Sequence, residues 1–555
     1  MGSVSFAPVG TSTGPKGSSE DAAVEVMARS TTETETELTW RSAGELARLI
    51  ADGTVSARVV LEAHIAQIEA VDVKLNSVVA RRFDEARLEA DAVDAARSRG
   101  ETLGPLAGVP MTVKEQFHVK GLATTFGLPT RADMREEVEG PLVTRLREAG
   151  AIILGKTNVA ELLFYQEGDN PLFGRTNNPW DLERTSGGGS GGEGAIIAAG
   201  GSPLGLAADI GGSIRTPAHF CGIQGLRPTS GRLTNLDSPP ELFFPGMDAV
   251  VLDPGPMART VADLELAMQV LAAPGLERID PLIPPVPWPD PHAVSIEGLR
   301  IGFFEDDGYW PASPAMRRAV REAAEILTAR GAIVEPFADP DPEAATRFYF
   351  SFLCADGVGW PKKLLKGNPR DRRVKMLLRI SWVPAWLHGP IAGFLSMVGQ
   401  PRLANGFRWS KKRSAKGYWT LLQQREAWRF KFLAQMEAKN LDAIICPPHA
   451  VPAMRHGATY FLYDTPSYLM RFNVLGMPAG SVAATRVRAD EETDRPHSRD
   501  RVERAARETE VGSTGLPVGV QVAARQWRED IVLAVMATLE EEFSKRPDYP
   551  SRPPA

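Results

Sequence analysis

Apolar positions change their spacing along this chain, and the changes mark its elements. Ser42-Ala-Gly-Glu45 has the form of a capping box, and Leu46, Leu49 and Ile50 follow it at helical spacing. A second helix is predicted from Ser56 to Glu69, with Val59, Val60, Ala63, Ile65 and Ile68 as its apolar positions. From Leu106 onward the runs become short and β-rich: LAGVPMTV at 106–113, AIILG at 151–155 and LRIGFF at 299–304. LDAIIC at 441–446, GSVAAT at 480–485 and GLPVGVQVAA at 515–524 continue the series, with helical stretches at 314–330 and 530–542. Short apolar strands alternating with amphipathic helices predict an α/β fold, its sheet covered by helices on both faces.

Two segments fall outside this pattern. Residues 1–37, rich in Ser, Thr, Gly and Glu, read as a disordered leader, because nothing in them can bury a core. Residues 488–510 carry dense charge of both signs and read as a charged, solvated surface insertion. No internal repeat is evident. The chain has 555 residues, 43% hydrophobic and 24% charged, which suits one large globular domain or two. A net charge of −6 argues against a nucleic-acid partner. Cys221, Cys354 and Cys446 are too few and too scattered for a disulfide framework or a zinc site, which fits a reducing, cytoplasmic setting. Met1 to Phe6 lack a basic region and no apolar stretch follows, so no secretory signal is expected. No uninterrupted run of about 18 apolar residues occurs, so the chain is expected in solution or on a membrane surface.

The candidate chemistry lies in TSGGGSGGEG at 185–194 and DIGGSIR at 209–215. The first piece resembles a flexible linker by composition, but apolar sequence follows it directly; it also lacks the Gly-Lys-Ser/Thr ending of a phosphate loop. The second reads as a nucleophile turn. Acyl transfer needs a hydroxyl held against a carbonyl, with backbone amides aimed where the oxyanion forms. Ser213 supplies the hydroxyl, and the amides of Ile210, Gly211, Gly212 and Ser213 are the expected oxyanion hole. The base is expected to be Lys114, at the end of the apolar strand GVPMTV, since desolvation there favours a neutral amine. His219, between Ala218 and Phe220, reads as a packed core residue. A strand-end lysine reaching water is the competing reading of Lys114.

These pieces together, GVPMTVKEQF and GGGSGGEGAIIAAGGSPLGLAADIGGSIRTPAHFCGIQGLRPT, resemble the amidase-signature family. The resemblance implies a Ser–Ser–Lys triad in which a serine held by a cis peptide bridges nucleophile and lysine. By motif Ser213 matches the nucleophile and Lys114 the lysine, and Asp209 and Arg215 match residues bracing the turn. It also implies one α/β domain over 38–545, with its core motif at 106–235, a mixed sheet of about ten or eleven strands, and no cofactor or metal. NPLFGRTNNPW at 170–180, NLDAIICPP at 440–448 and NVLGMPAGSVAAT at 473–485 are most similar to the fatty acid amide hydrolase branch. The homodimer of that branch is a further implication.

One position departs from the family. Where the family has Gly-Gly-Ser-Ser-Gly-Gly, this chain has Gly187-Gly188-Gly189-Ser190-Gly191-Gly192, so Gly189 occupies the bridging-serine position. Ser190 matches the next serine, a supporting residue outside the triad. A water filling the vacated space, a deliberate replacement, and a natural variant with altered chemistry all fit this pattern. The site is expected to be intact with hydrolysis slowed, and Gly189→Ser is expected to raise the rate by roughly an order of magnitude or more.

Residues 360–425 carry many basic residues and a single acid, Asp371. Between the basic runs lies ISWVPAWLHGPIAGFLSMVG at 380–399, broken by Pro384 and Pro390. Trp382, Trp386 and Phe394 beside cationic flanks suit a peripheral anchor on anionic lipid, and the fatty acid amide hydrolase branch carries a membrane cap here, so 360–416 is read as a cap insertion. The competing reading is a helical hairpin buried on the core. Leu163, Phe164, Phe173, Tyr349, Phe350 and Phe352 are candidate substrate-lining residues. The function expected is hydrolysis of fatty acid amides, of N-acylethanolamine or N-acyl amine/amino acid type, through an acyl-enzyme on Ser213. The alternatives are an amidase or esterase of small aryl or aliphatic substrates, a catalytically weak lipid-amide-binding protein, and a subunit that amidates tRNA-bound residues, against which the basic, Trp-containing insertion argues.

Overall fold

The computed structural model describes residues 37–239 and 248–554. Apart from Glu37, the leader expected over 1–37 lies outside the described residues. The first helix, Ala43–Ala51, starts as its sequence requires: Ser42 Oγ accepts from the Glu45 amide, and Glu45 returns the bond to the Ser42 amide. The second helix, Ala57–Leu75, runs six residues past the expected end at Glu69. Its buried face continues through a polar residue, Asp72, whose carboxylate takes the amides of Ser77 and Val78 just beyond the helix. An apolar-periodicity reading stops short at such a residue.

One sheet of eleven strands organises the molecule. In chain order these are β1 (Val78–Arg81), β2 (Pro110–Lys114), β3 (Ile152–Thr157), β4 (Leu204–Asp209), β5 (Gln224–Arg227) and β6 (Asp253–Ala258). They continue as β7 (Arg300–Phe303), β8 (Ile333–Pro336), β9 (Ala443–Cys446), β10 (Ala479–Arg486) and β11 (Pro517–Ala524). Across the sheet the order is β1-β3-β2-β4-β6-β5-β10-β11-β9-β7-β8. β3, β2 and β4 run parallel, as do β9, β7 and β8, and the remaining pairs are antiparallel. Helices cover both faces, and the fully buried central strands explain why their sequences are apolar rather than alternating.

β6 has a sequence, DPGPMA, that the pattern of apolar runs does not reveal. Pro254 and Pro256 pair with β4, and contact with β5 is confined to Met257 and Ala258, beyond both prolines. The charged segment 488–510 is solvated on only one side, which corrects the expectation. Its helix Arg501–Glu510 buries Val502, Ala505 and Ala506, and Arg495 is buried against Glu510, 2.7 Å away. Charge dense enough to look solvated in sequence is here neutralised in pairs.

The expected cap insertion forms the helices Gly359–Leu364, Arg372–Trp382, His388–Met397 and Pro401–Trp409. None of the described helices is long and apolar enough to cross a membrane. Val358, Leu365, Val374 and Leu378 join Phe126 and Leu162 in a small hydrophobic core separate from the main one.

Candidate active site

β2 and β4 are parallel neighbours, with Val113 opposite Leu206, so their carboxyl ends emerge side by side. Loops at the carboxyl ends of adjacent parallel strands are where open α/β sheets place their chemistry. β2 delivers Lys114 there, and β4 delivers Asp209 and the turn that precedes the helix Arg215–Cys221.

Lys114 is fully buried, and its Nζ donates to the Ala208 carbonyl at 3.0 Å. Burial pushes its amine down to about 7, against the pull of Asp209 and Glu193. The strand-end reading, with the amine reaching water, does not describe this residue. Asp209 holds the turn. Its carboxylate accepts from the amides of Gly212 at 2.7 Å and Ile214 at 3.2 Å, and from Arg215 Nε and Nη2 at 3.0 Å each. Burial opposes its charge, yet the Arg215 guanidinium and the Asn473 amide hold the carboxyl well below the usual range. Arg215 also reaches Gln521 and Asn473, tying the turn to the far half of the sheet.

This bracing corrects the expected oxyanion hole. The Gly212 amide is engaged by Asp209 and is not available to a substrate. The amides of Ile210, Gly211 and Ser213 have no acceptor among the described residues. Above Gly211 sits the Tyr349 hydroxyl, only 2.6 Å from where a β-carbon would stand, so a larger residue there would have to displace the tyrosine.

Gly189 lies against this turn at φ +69, a region that favours glycine. A β-carbon at 189 would stand 2.3 Å from Ser213 Oγ, 2.5 Å from Ser213 Cβ and 3.3 Å from Lys114 Nζ. One point beside Gly189 is thus within reach of both hydroxyl and amine. The β-carbon position is crowded by Ser213 itself, so a water at that point has no room. The described residues contain no cis peptide bond, unlike the loop the resemblance implies. Ser190 is buried, and its Oγ donates weakly, at 3.4 Å, to the carbonyl of Ala208 that also receives Lys114.

Glu193 is a site residue that the sequence motifs do not single out. It is buried in the helix Gly191–Ala198, accepting from Thr112 Oγ1 at 2.7 Å and Thr157 Oγ1 at 2.9 Å. Burial raises its carboxyl to about 8, despite those bonds and Lys114. An acid in an otherwise small and apolar helix, GGEGAIIA, is the signal that marks it. His219 is a core residue as read: its Nδ1 accepts from the Gly519 amide at 3.0 Å, and its ring stacks on His449.

A cavity of about 540 Å³ opens at Ile210. Leu163 and Phe164 line it with Phe126, Leu162, Tyr349 and Leu353, and Val250, Leu252 and Ile283 are also in the lining. Phe126, Leu162 and Leu163 all have positive φ (53°, 52° and 61°), and strained non-glycine backbone concentrates at functional sites. Phe350, Phe352 and Phe173 are not in the lining. Phe350 packs on Tyr349 and Tyr463, and Phe352 on Phe348 and Tyr418, both within the core. Trp382, Trp386 and Phe394 are 66%, 74% and 58% exposed, so the buried-hairpin alternative does not hold for them.

Residues 59–533 match the family model Amidase. The chain is 37% identical over 442 residues to fatty-acid amide hydrolase 1 of Sus scrofa, covering 79% of this chain and 76% of that protein. It is also 33% identical over 473 residues to fatty acid amide hydrolase 1 of Caenorhabditis elegans, covering 84% of this chain and 82% of that protein. A solved fatty acid amide hydrolase superposes with a TM-score of 0.81 at 28% identity, covering 91% of this chain and 86% of that one.

Proposed function

The chain belongs to the amidase family and is an amide-hydrolysing enzyme with the amidase-signature fold, and from that premise we propose that it hydrolyses fatty acid amides through an acyl-enzyme on Ser213. The observation that carries this reading is the point beside Gly189 flanked by the Ser213 hydroxyl and the buried Lys114 amine. The apolar lining of the adjoining cavity supports a long acyl chain rather than a small aryl or aliphatic one.

In the acylation step the neutral Lys114 amine takes the Ser213 proton while Oγ bonds to the carbonyl carbon. The carbonyl π pair moves to oxygen, where the amides of Ile210, Gly211 and Ser213 receive it. Collapse restores the carbonyl and breaks the C–N bond, and the leaving nitrogen takes the proton held by Lys114. Water then repeats the sequence on the ester, with Ser213 Oγ leaving. Asp209, Arg215 and Asn473 touch no reacting atom in this scheme and hold the turn in place.

The reading is tested by intact-protein mass spectrometry after incubation with a long-chain fluorophosphonate. A single adduct that vanishes in Ser213→Ala is expected. An adduct that survives that substitution would place the nucleophile elsewhere, and no adduct on the parent would favour a lipid-amide-binding protein.

The insertion at 360–416 supports a second element of the proposal, peripheral attachment to a membrane surface on the cytoplasmic side. Its exposed Trp382, Trp386 and Phe394 stand among exposed Lys363, Lys366, Arg370, Lys375 and Arg379, the combination an anionic lipid surface accepts.

A further inference from the structure

The lining of the cavity is unevenly charged. One part, from Phe126, Leu162, Leu163, Phe164 and Leu353, offers only apolar side chains. The other sets Ser230, Asn235, Asp248 and Asp280 among Leu233, Val250, Leu252, Leu282 and Ile283, and its two charged residues are both aspartates. No Lys, Arg or His is among the described lining residues. The basic residues around the lining each have an acid of their own: Arg278, two residues before Asp280, lies exposed beside Glu277, and Arg425, which donates to the Ala249 carbonyl next to Asp248, pairs with Glu426. Arg232 pairs with Glu529 at 2.8 Å and lies over the Trp527 ring, and Arg227 pairs with Asp253. The eight residues before Asp248 include no Lys or Arg either. Asp280 is fixed in place: its Oδ2 accepts from Thr234 Oγ1 at 2.6 Å and its Oδ1 from the Leu282 amide at 3.0 Å. It is 8% exposed, so water screens it poorly, whereas Asp248 is exposed.

Resting on the fatty-amide reading above, we infer that this cavity selects amides by the charge of their amine part, accepting neutral and cationic amines and disfavouring those that carry a carboxylate or sulfonate. The two walls divide the task. The acyl chain takes the apolar side, and the amine part meets Asp248 and Asp280. An anionic group there is held against two like charges with no cation in the lining to pair with it, in surroundings of reduced dielectric. An amine part bearing its own ammonium is attracted by the same groups. The carboxylates also favour departure, because the nitrogen gains positive charge as it takes the proton from Lys114 and a further proton after release. Specificity is thus a repulsion built against one substrate class as well as an attraction for another.

The test compares three oleoyl amides in non-ionic detergent micelles, which remove any contribution of surface charge at the cap: those of ethanolamine, ethylenediamine (mono-acylated) and glycine. kcat/KM for the first two should exceed that for the glycine amide by roughly tenfold or more. Asp280→Asn, which keeps the side-chain shape, and Asp248→Asn, at an exposed position, should each narrow the ratio of diamine to glycine amide. Equal turnover of the three amides, or a preference for the glycine amide, overturns the inference. So does a wide ratio that neither substitution changes. Failure of the underlying catalytic reading is separately visible, as loss of the fluorophosphonate adduct on Ser213, and it removes the inference as well.

Discussion

At position 189 the residue and its neighbours carry opposite implications. Read from sequence, a glycine where a serine is expected leaves a gap in the proton path. In the structure Ser213 Oγ lies within reach of that gap, 2.3 Å from where a β-carbon would stand, and the backbone has a positive φ. A serine placed there must therefore displace Ser213 and bear strain of about 1–2 kcal/mol before its hydroxyl can help. Two substitutions separate these effects. Gly189→Ala adds the β-carbon without the hydroxyl and should slow fluorophosphonate labelling; Gly189→Ser should label about tenfold faster than Gly189→Ala. Equal rates for the two would show that the hydroxyl plays no part in the relay. Lys114 offers an independent handle. Its amine must be neutral to accept the proton, and burial pushes it down to about 7, so the protonated, inactive form dominates below that pH. The labelling rate of the parent should accordingly rise as pH increases through about 7 and level off above it. A profile flat from pH 5 to 9 would exclude Lys114 as the base.

Elements whose residues are uniformly apolar were legible in the sequence, and elements built from small or ring-constrained residues were not. β2, β3, β7, β9, β10 and β11 coincide with the runs read as strands. β1, β4, β5, β6 and β8 escaped: Leu204–Asp209 is diluted with Gly and Ala, Asp253–Ala258 contains two prolines, and Val78–Arg81, Gln224–Arg227 and Ile333–Pro336 are four-residue strands that contain charged or polar residues. Ser213, Lys114 and Gly189 came from motif, but the loss of Gly212 as an oxyanion donor depends on a bond from Asp209 that only the folded turn reveals. The contact between insertion and cavity wall is also invisible in sequence, because its partners lie some 200 residues apart. Arg373, in the helix Arg372–Trp382, pairs with Asp371 at 2.6 Å, Asp169 at 2.7 Å and Glu167 at 2.9 Å, and lies 4.0 Å over the Tyr165 ring. Glu161, next to Leu162 and Leu163 of the cavity wall, takes the amide of Asp371. Burial raises that carboxyl to about 7, with Asp371 and Asp169 adding to the effect of burial. Arg373→Met leaves these acids without their cation and should lower the unfolding free energy by roughly 3 kcal/mol. It should also raise KM for long-chain amides more than for short ones, because the wall that loosens is the apolar one. Equal KM changes across chain lengths would mean that the clasp supports the fold without shaping the cavity.

For the whole molecule the question is where the substrate comes from. On the proposed reading the substrate is a long-chain amide, which is scarce in water, and a cavity of about 540 Å³ lined by Phe126, Leu162, Leu163 and Phe164 would then have to be reached by lipid. The insertion shares its small core with Phe126 and Leu162, so the surface that would meet lipid and the wall of the cavity are one packed unit. On that unit Trp382, Trp386, Phe394 and Met397 are exposed, although the chain as a whole carries a net charge of −6. An anionic surface would attract this basic, aromatic face against the net charge of the chain, so binding should be oriented as well as reversible. Each basic residue near the surface contributes about 1 kcal/mol, and a buried apolar side chain such as Phe394 about 1.5–3 kcal/mol. Sedimentation with phosphatidylserine-containing vesicles should therefore weaken as salt is raised. Replacing Trp382 and Trp386 together by Ser should weaken it at constant salt, leaving hydrolysis of a micellar substrate in place. If instead the double variant binds as the parent does, the exposed aromatics are not the contact, and the basic flanks alone would have to account for attachment. If neither protein binds, access to the cavity proceeds from solution, and the preference for long acyl chains should then disappear once substrates are compared below their micellar limits.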